Sequence, residues 1–258
     1  MIKPLNFQGA SGHELAGWLH TPDAPPRAAL VFAHCFTCSK DLHMVRIIAR
    51  ALSERGFAML RFDFTGVGQS GGDFADTTLV SDVGDLEQAA GALRSQLGQD
   101  LPLGLMGHSL GGTAALMAAS RIQRVSALAL IASPLDPTDL PDKLGPGVAT
   151  GVKERGEVSV KVGGQTFTIT DRFVDSLYQP QLPGLLQSLP CPLLLLHGTE
   201  DTTVALQVSE YIFSLARQPK GFEPLPGADH LLTRKRDARL AADLLGLWFE
   251  RFLPEGEG

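Results

Sequence analysis

No run of about 18 or more uncharged apolar residues occurs in the 258-residue chain, which argues against a transmembrane helix. Met1-Ile2-Lys3-Pro4 leads into neither an apolar stretch nor a small-residue cleavage site, so no secretory signal is expected. Charge of one sign is also lacking. Lys and Arg number 22 against 28 Asp and Glu, a net charge of −6 with both signs dispersed. That does not build the basic face nucleic-acid binding needs, so neither nucleic acid nor membrane is an expected partner. Cysteine is scarce: Cys35, Cys38 and Cys191, an odd number. This suits a reducing cytoplasm, the expected location, better than a disulfide framework.

Nucleotide and metal signatures are missing too. No Gly-Lys-Ser or Gly-Lys-Thr occurs, and Gly66-Val67-Gly68 lacks the third glycine of a dinucleotide loop. The segment 63–71 is therefore read as a structural turn. No second cysteine pair completes a zinc site with Cys35 and Cys38, for which a structural or packing role is expected over a redox one. No cofactor and no metal are expected.

What is present is an ordinary globular composition, 44% hydrophobic and 19% charged, of a length that suits one domain spanning 1–258. Short apolar runs at 29–33, 57–62, 101–106, 126–131 and 192–197 read as strands buried on both faces. Between and after them, 42–55, 79–97, 110–121, 204–216 and 237–252 read as helices; in the second, Leu79, Val83, Leu86, Ala90, Leu93 and Leu97 recur at spacings of four and three. This alternation implies a mostly parallel central sheet with helices on both faces, an α/β fold. The rhythm breaks at about 134–189. There Val158, Val160 and Val162 alternate, Gly163-Gly164 follows, and Phe167 and Ile169 alternate again, a hairpin signal inside a cap-like insertion.

The chemistry centres on Gly107-His108-Ser109-Leu110-Gly111, a G-x-S-x-G directly after a strand and before a helix. Such an elbow strains the serine backbone and tolerates only small flanking residues, while holding Oγ above the sheet edge. A serine hydroxyl needs a histidine to take its proton and a carboxylate to orient that histidine. The strand at 193–196 runs into His197-Gly198-Thr199-Glu200-Asp201, and Asp201 is the preferred acid because it stands at the turn's exit. Glu200 and Asp229 are rival carboxylates; Glu200 is expected to face solvent. His230, on the loop before the last helix, is the expected base. His13, His20, His43 and His108 are read as structural or exposed. Two backbone N–H groups should hold the oxyanion, those of Leu110 and of Phe36 after the strand ending at Ala33.

These residues together resemble the α/β-hydrolase superfamily: the Ser109 elbow, the His34 loop, Asp63-x-x-Gly-x-Gly-x-Ser, His-Gly-x-x-Asp201 and the late His230. More narrowly, the octapeptide His34 to Asp41 and Arg61-Phe-Asp-Phe-Thr-Gly66 are similar to the hydrolase half of bacterial two-part proteins that carry an OsmC-like peroxidase domain. At 258 residues no OsmC-like domain is expected here, so its peroxidase activity is not carried over. The chain departs from many relatives in having Cys35 where they have glycine after the loop histidine. The hairpin insertion is similar in layout to the small caps of cinnamoyl and feruloyl esterases.

The expected activity is a serine carboxylester hydrolase acting on small to medium acyl esters, with a small-molecule ester as partner. The same triad would also serve a thioesterase, an amidase or a cofactor-free perhydrolase or haloperoxidase. A non-catalytic binding protein on the same fold is the alternative from another class. Oligomeric state has no signature in the sequence.

Overall fold

A computed structural model describes residues 1–179 and 181–253. The chain opens with four short strands, β1 (Ile2–Pro4), β2 (Phe7–Gln8), β3 (Glu14–Leu15) and β4 (Gly17–His20). The alternating part follows: β5 (Ala28–Ala33), α1 (His43–Glu54), β6 (Phe57–Phe62), α2 (Leu79–Leu97), β7 (Leu103–His108), α3 (Leu110–Ala119) and β8 (Val125–Ile131). Next come α4 (Leu140–Lys143), α5 (Val148–Arg155), β9 (Glu157–Val162), β10 (Gln165–Thr170), α6 (Asp171–Leu177) and α7 (Leu182–Gln187). The last four are β11 (Leu193–Gly198), α8 (Leu206–Leu215), β12 (Lys220–Leu225) and α9 (Lys235–Phe252).

Eight strands form one sheet in the order β1-β4-β6-β5-β7-β8-β11-β12. The six from β6 to β12 run parallel; β4 and β1 add an antiparallel edge. The unbroken apolar runs follow from this, because β5, β6, β7 and β11 are buried along their whole length. On one face Phe32, Phe57, Ile48, Leu52, Leu245 and Phe249 pack under α1 and α9. On the other, α2 and α3 cover the sheet with Leu86, Leu93 and Leu116, and the cap adds Phe167, Phe173 and Leu177. Each such side chain, fully buried, contributes roughly 1.5–3 kcal/mol.

Register decides where the loops meet. Ala33 lies opposite Gly107, His108 opposite Ile131, Leu196 opposite Ile131, and Gly198 opposite Leu225. The carboxyl ends of β5, β7, β11 and β12 therefore share one edge, and the direction of winding reverses beside β5, the chain passing from β5 to β6 on one side and from β6 across to β7 on the other. That crevice is where ligands bind in open α/β sheets.

The hairpin stands where the alternation placed it, with Val162 opposite Gln165 and the turn at Gly163 (φ 57°) and Gly164 (φ 86°). Phe167 and Ile169 point into the core while Lys161 and Gln165 face outward. The four helices around it, α4 to α7, have 4 to 8 residues each. At about two turns or fewer they are too short to show the 3.6-residue repeat by which the longer helices are recognised.

Candidate active site

Ser109 occupies the single residue between β7 and α3, at φ 53° and ψ −128°. Its N–H donates to Ile131 O at 2.9 Å, which ties the turn to the neighbouring strand. The flanking glycines are required by approach distance. A Cβ on Gly107 would run into the Gly111 carbonyl, and one on Gly111 would run into the carbonyl oxygens of Ala33 and His34. The elbow thus packs directly on the loop after β5.

Asp201 and His230 arrive from the ends of β11 and β12. His230 Nδ1 lies 2.7 Å from Asp201 Oδ2, and the Asp201 side chain is fully buried. Asp201 Oδ1 accepts from the N–H groups of Thr203 (2.8 Å) and Val204 (2.9 Å). Burial alone would raise the Asp201 pKa, but the hydrogen bonds from His197 and His230 outweigh it and hold the carboxyl well below its ordinary value. An ionised Asp201 can only accept, so His230 Nδ1 carries the proton and Nε2 is the basic nitrogen. The rivals are occupied elsewhere. Glu200 is exposed, and Asp229 accepts from the N–H and hydroxyl of Thr233.

Two further histidines support this pair: His108, which the pattern left as structural, and His197, to which it assigned no role. His197 Nε2 lies 3.2 Å from Asp201 Oδ2 and 2.9 Å from Val204 O, and Nδ1 lies 2.7 Å from Ser209 Oγ. His108 Nε2 donates to the His230 carbonyl at 2.8 Å, with the two rings 4.8 Å apart. Burial, with His230 beside it, lowers the His108 pKa to about 3, so this ring stays neutral. Their positions beside the site come from strand register, which residue spacing does not display.

The loop after β5 brings Phe36 to the same edge. Among the described residues, neither the Phe36 nor the Leu110 N–H has an intramolecular acceptor. The expectation of unbridged cysteines is corrected here: Cys35 and Cys38 form a disulfide. The turn closed by Cys38 N–H on Cys35 O at 3.0 Å, with Thr37 at φ 54°, brings their Cα atoms to 5.2 Å, within bridging range. An odd total says nothing about two cysteines three residues apart in a tight turn. Closing a loop of four residues is worth about 2 kcal/mol by chain entropy. Reducing the bridge with a dithiol is therefore expected to lower the melting temperature by about 4–8 °C, and to lower turnover because Phe36 lies inside the bridged turn. Thermal melts and rates with and without dithiol check this, with Cys35→Ser as the variant that should no longer respond.

Beneath the loop lies a buried ion pair. Lys40 Nζ donates to Asp63 Oδ2 at 2.6 Å and to Gln69 Oε1 at 2.7 Å, while the Lys40 and Gln69 N–H groups also donate to Asp63. Gly66 (φ 72°) and Gly68 (φ 59°) let the following turn wrap around that carboxylate, so the 63–71 segment is the structural turn expected of it. Removing one partner would leave a buried charge uncompensated. Lys40→Met is expected to cost about 3–5 kcal/mol, read as a shift in the denaturant midpoint.

Ser109, His230, Phe36, Cys35 and Cys38 line one cavity of about 630 Å³. Leu140 of α4, Leu144 just after it and Val162 of the hairpin form its cap side. The insertion thus supplies part of the wall around the serine. Among the described residues, no group of three or more His, Cys, Asp or Glu could hold a metal ion, and no helix is long and apolar enough to cross a membrane.

Residues 30–243 match the model of the Alpha/beta hydrolase family. The chain belongs to this family. It is similar to the crystal structure of the esterase domain of a Rhodothermus marinus protein, with 36% identity and a TM-score of 0.76 over 98% of this chain and 99% of that one. The ferulic acid-bound structure of Est1E from Butyrivibrio proteoclasticus has the same fold, at TM-score 0.76 and 20% identity over 96% and 98% of the two chains. A monoacylglycerol lipase of Mycolicibacterium smegmatis is 23% identical over 94% of this chain and 95% of its own length. This hydrolase therefore has esterases among its structural neighbours.

Proposed function

We propose that this α/β-hydrolase is a serine carboxylester hydrolase acting on small to medium acyl esters. The observation that carries the reading is the 2.7 Å bond from His230 to the buried Asp201, with His230 and Ser109 lining one cavity. Ser109 Oγ attacks the ester carbonyl while His230 Nε2 takes its proton, and ionised Asp201 stabilises the imidazolium. The Phe36 and Leu110 N–H groups receive the oxyanion, helped by the positive end of α3. Collapse breaks the ester bond, and the leaving alcohol takes the proton from His230. Water then repeats the sequence on the acyl-enzyme, and Ser109 regains its proton.

Hydrolysis of a p-nitrophenyl ester series from acetate to palmitate, with a thioester and an anilide as further arms, tests the proposal. The expected result is a pre-steady-state burst and highest kcat/KM on the short and medium chains. A preference for palmitate, the thioester or the anilide would overturn the substrate assignment. Supporting a small soluble substrate is the volume of the cavity, which falls in the range of small-molecule sites.

A further inference from the structure

A second, smaller recess adjoins the catalytic cavity, and the two share Cys35, Phe36, Thr37 and Val67 as walls. Its volume is about 20 Å³, enough for one water-sized group. The rings of Phe36, Phe74 and Phe173 stand around it at centroid separations of 5.4 to 6.0 Å, and Leu110 and Gly111 of the elbow bound it as well. These residues come from the oxyanion loop, the 74–76 turn, the cap helix α6 and the start of α3, so the recess lies against the proposed oxyanion donors.

The polar side chains on its walls are accounted for, with one exception. Thr65 Oγ1 donates to Asp85, and Thr37 Oγ1 donates to Phe36 O. His34 donates through Nδ1 to Cys35 O and accepts at Nε2 from the Phe64 N–H. The partly buried Asp82 carboxyl, one turn into α2, makes no hydrogen bond or ion pair among the described residues. Its neighbour Asp85, by contrast, accepts from Ala10 N–H, Thr65 N–H and the Thr65 hydroxyl. The Thr78–Ser81 capping box fixes the helix start and so fixes where Asp82 stands.

We propose that Asp82 determines acyl specificity, its carboxyl receiving a hydroxyl group borne on a short acyl chain whose carbonyl sits between Phe36 and Leu110. The inference rests on the esterase reading above and deepens it. A carboxyl left without a partner among aromatic rings selects for a group that restores its hydrogen bonds. The size of the recess admits one hydroxyl, not a long chain. Burial, with the Asp85 carboxylate beside it, raises the Asp82 pKa well above the ordinary value. The same neighbours favour the neutral acid over the carboxylate, and a neutral acid both donates to and accepts from a hydroxyl. With a plain acyl chain bound, the recess has room for one water in place of the hydroxyl, so discrimination should be moderate.

The test compares ethyl 3-hydroxybutanoate with ethyl butanoate, and ethyl 2-hydroxypropanoate with ethyl propanoate, by pH-stat at neutral pH. Wild-type protein should favour one hydroxy ester over its plain partner by about tenfold in kcat/KM, a difference of about 1.4 kcal/mol. Asp82→Leu should bring that ratio to about one, and Asp82→Asn, which keeps hydrogen-bonding capacity, should retain most of it. Both esters are read on the same variant, so a general loss of activity cancels. A wild-type ratio below twofold for both pairs overturns the proposal whatever the variants do. So does a ratio undiminished in Asp82→Leu, or a stronger preference for ethyl 3-aminobutanoate, which would mean an ionised acid pairing with a cation. Labelling of wild-type protein by a fluorophosphonate separates the two levels. Labelled Ser109 without hydroxyl preference removes only the role of Asp82, whereas unlabelled Ser109 with no ester turned over removes the esterase reading and this inference with it.

Discussion

Ser109→Ala is expected to lower ester turnover by about 10⁴–10⁶-fold, abolish the burst and abolish fluorophosphonate labelling, while the protein stays folded. The loss is large because the proposed nucleophile has no substitute in its position. The hydroxyl makes no hydrogen bond that holds the elbow together, and the turn is anchored by main-chain atoms: Ser109 N–H on Ile131 O, and Ser109 O receiving Gly112 N–H and Ser133 Oγ. Stability should therefore change little in Ser109→Ala. Ser109→Gly should be equally inactive yet more stable by about 1 kcal/mol, because glycine adopts positive φ without steric cost and position 109 stands at φ 53°. Circular dichroism and thermal melts of both variants, beside rates on p-nitrophenyl butanoate, provide the check. Activity within tenfold of wild type in either variant would remove Ser109 from the mechanism.

Asp201→Asn is expected to lower kcat by about 10⁴-fold with a much smaller change in KM. The side chain is fully buried and bonded to His230, so its effect on substrate passes through the imidazole. With the amide, the charge that stabilises imidazolium is gone. The amide NH₂ also competes to face Nδ1, which would place the ring proton on Nε2 and leave no base for Ser109. Asp201 Oδ1 already holds two backbone donors and Oδ2 faces His230 and His197, so an asparagine has one oxygen for four donors. The rate of fluorophosphonate labelling should fall in parallel with kcat. If Asp201→Asn kept turnover within tenfold, the orienting acid would have to be sought elsewhere, with Glu200→Gln and Asp229→Asn as the next variants.

Several parts of the site were legible because they follow from local patterns. A glycine on each side of Ser109 after an apolar run marks a strand-to-helix elbow. The apolar runs mark buried strands, and loop residues beyond them reach the sheet edge whatever the rest of the chain does. Other parts were not legible. The three neighbouring carboxylates Glu200, Asp201 and Asp229 are separable by spacing only as a preference. Their partners separate them: solvent, His230 and Thr233 respectively. His108 and His197 resemble any buried histidine until the register of β7, β11 and β12 places them beside His230 and Asp201. Lys40 and Asp63, 23 residues apart, carry no common motif that announces a buried pair.

The sequence by itself determined that this is an α/β chain with a mostly parallel sheet, an elbow at Ser109 and a hairpin in an insertion before the last strands. Each rests on a periodicity or a turn preference that acts over a few residues, and such preferences hold wherever the chain goes. Tertiary structure alone decided that Cys35 and Cys38 are bridged, that Asp201 is the carboxylate bonded to His230, and that Asp82 faces a recess beside Phe36 and Leu110. Those outcomes depend on distances and directions among loops and on which polar groups remain without partners. For Asp201 with His230 and Asp82 with Phe36, 29 and 46 positions apart, strand register and loop packing fix the proximity, which no pattern along the chain encodes; for Cys35 and Cys38, three positions apart, the conformation of the local turn decides it.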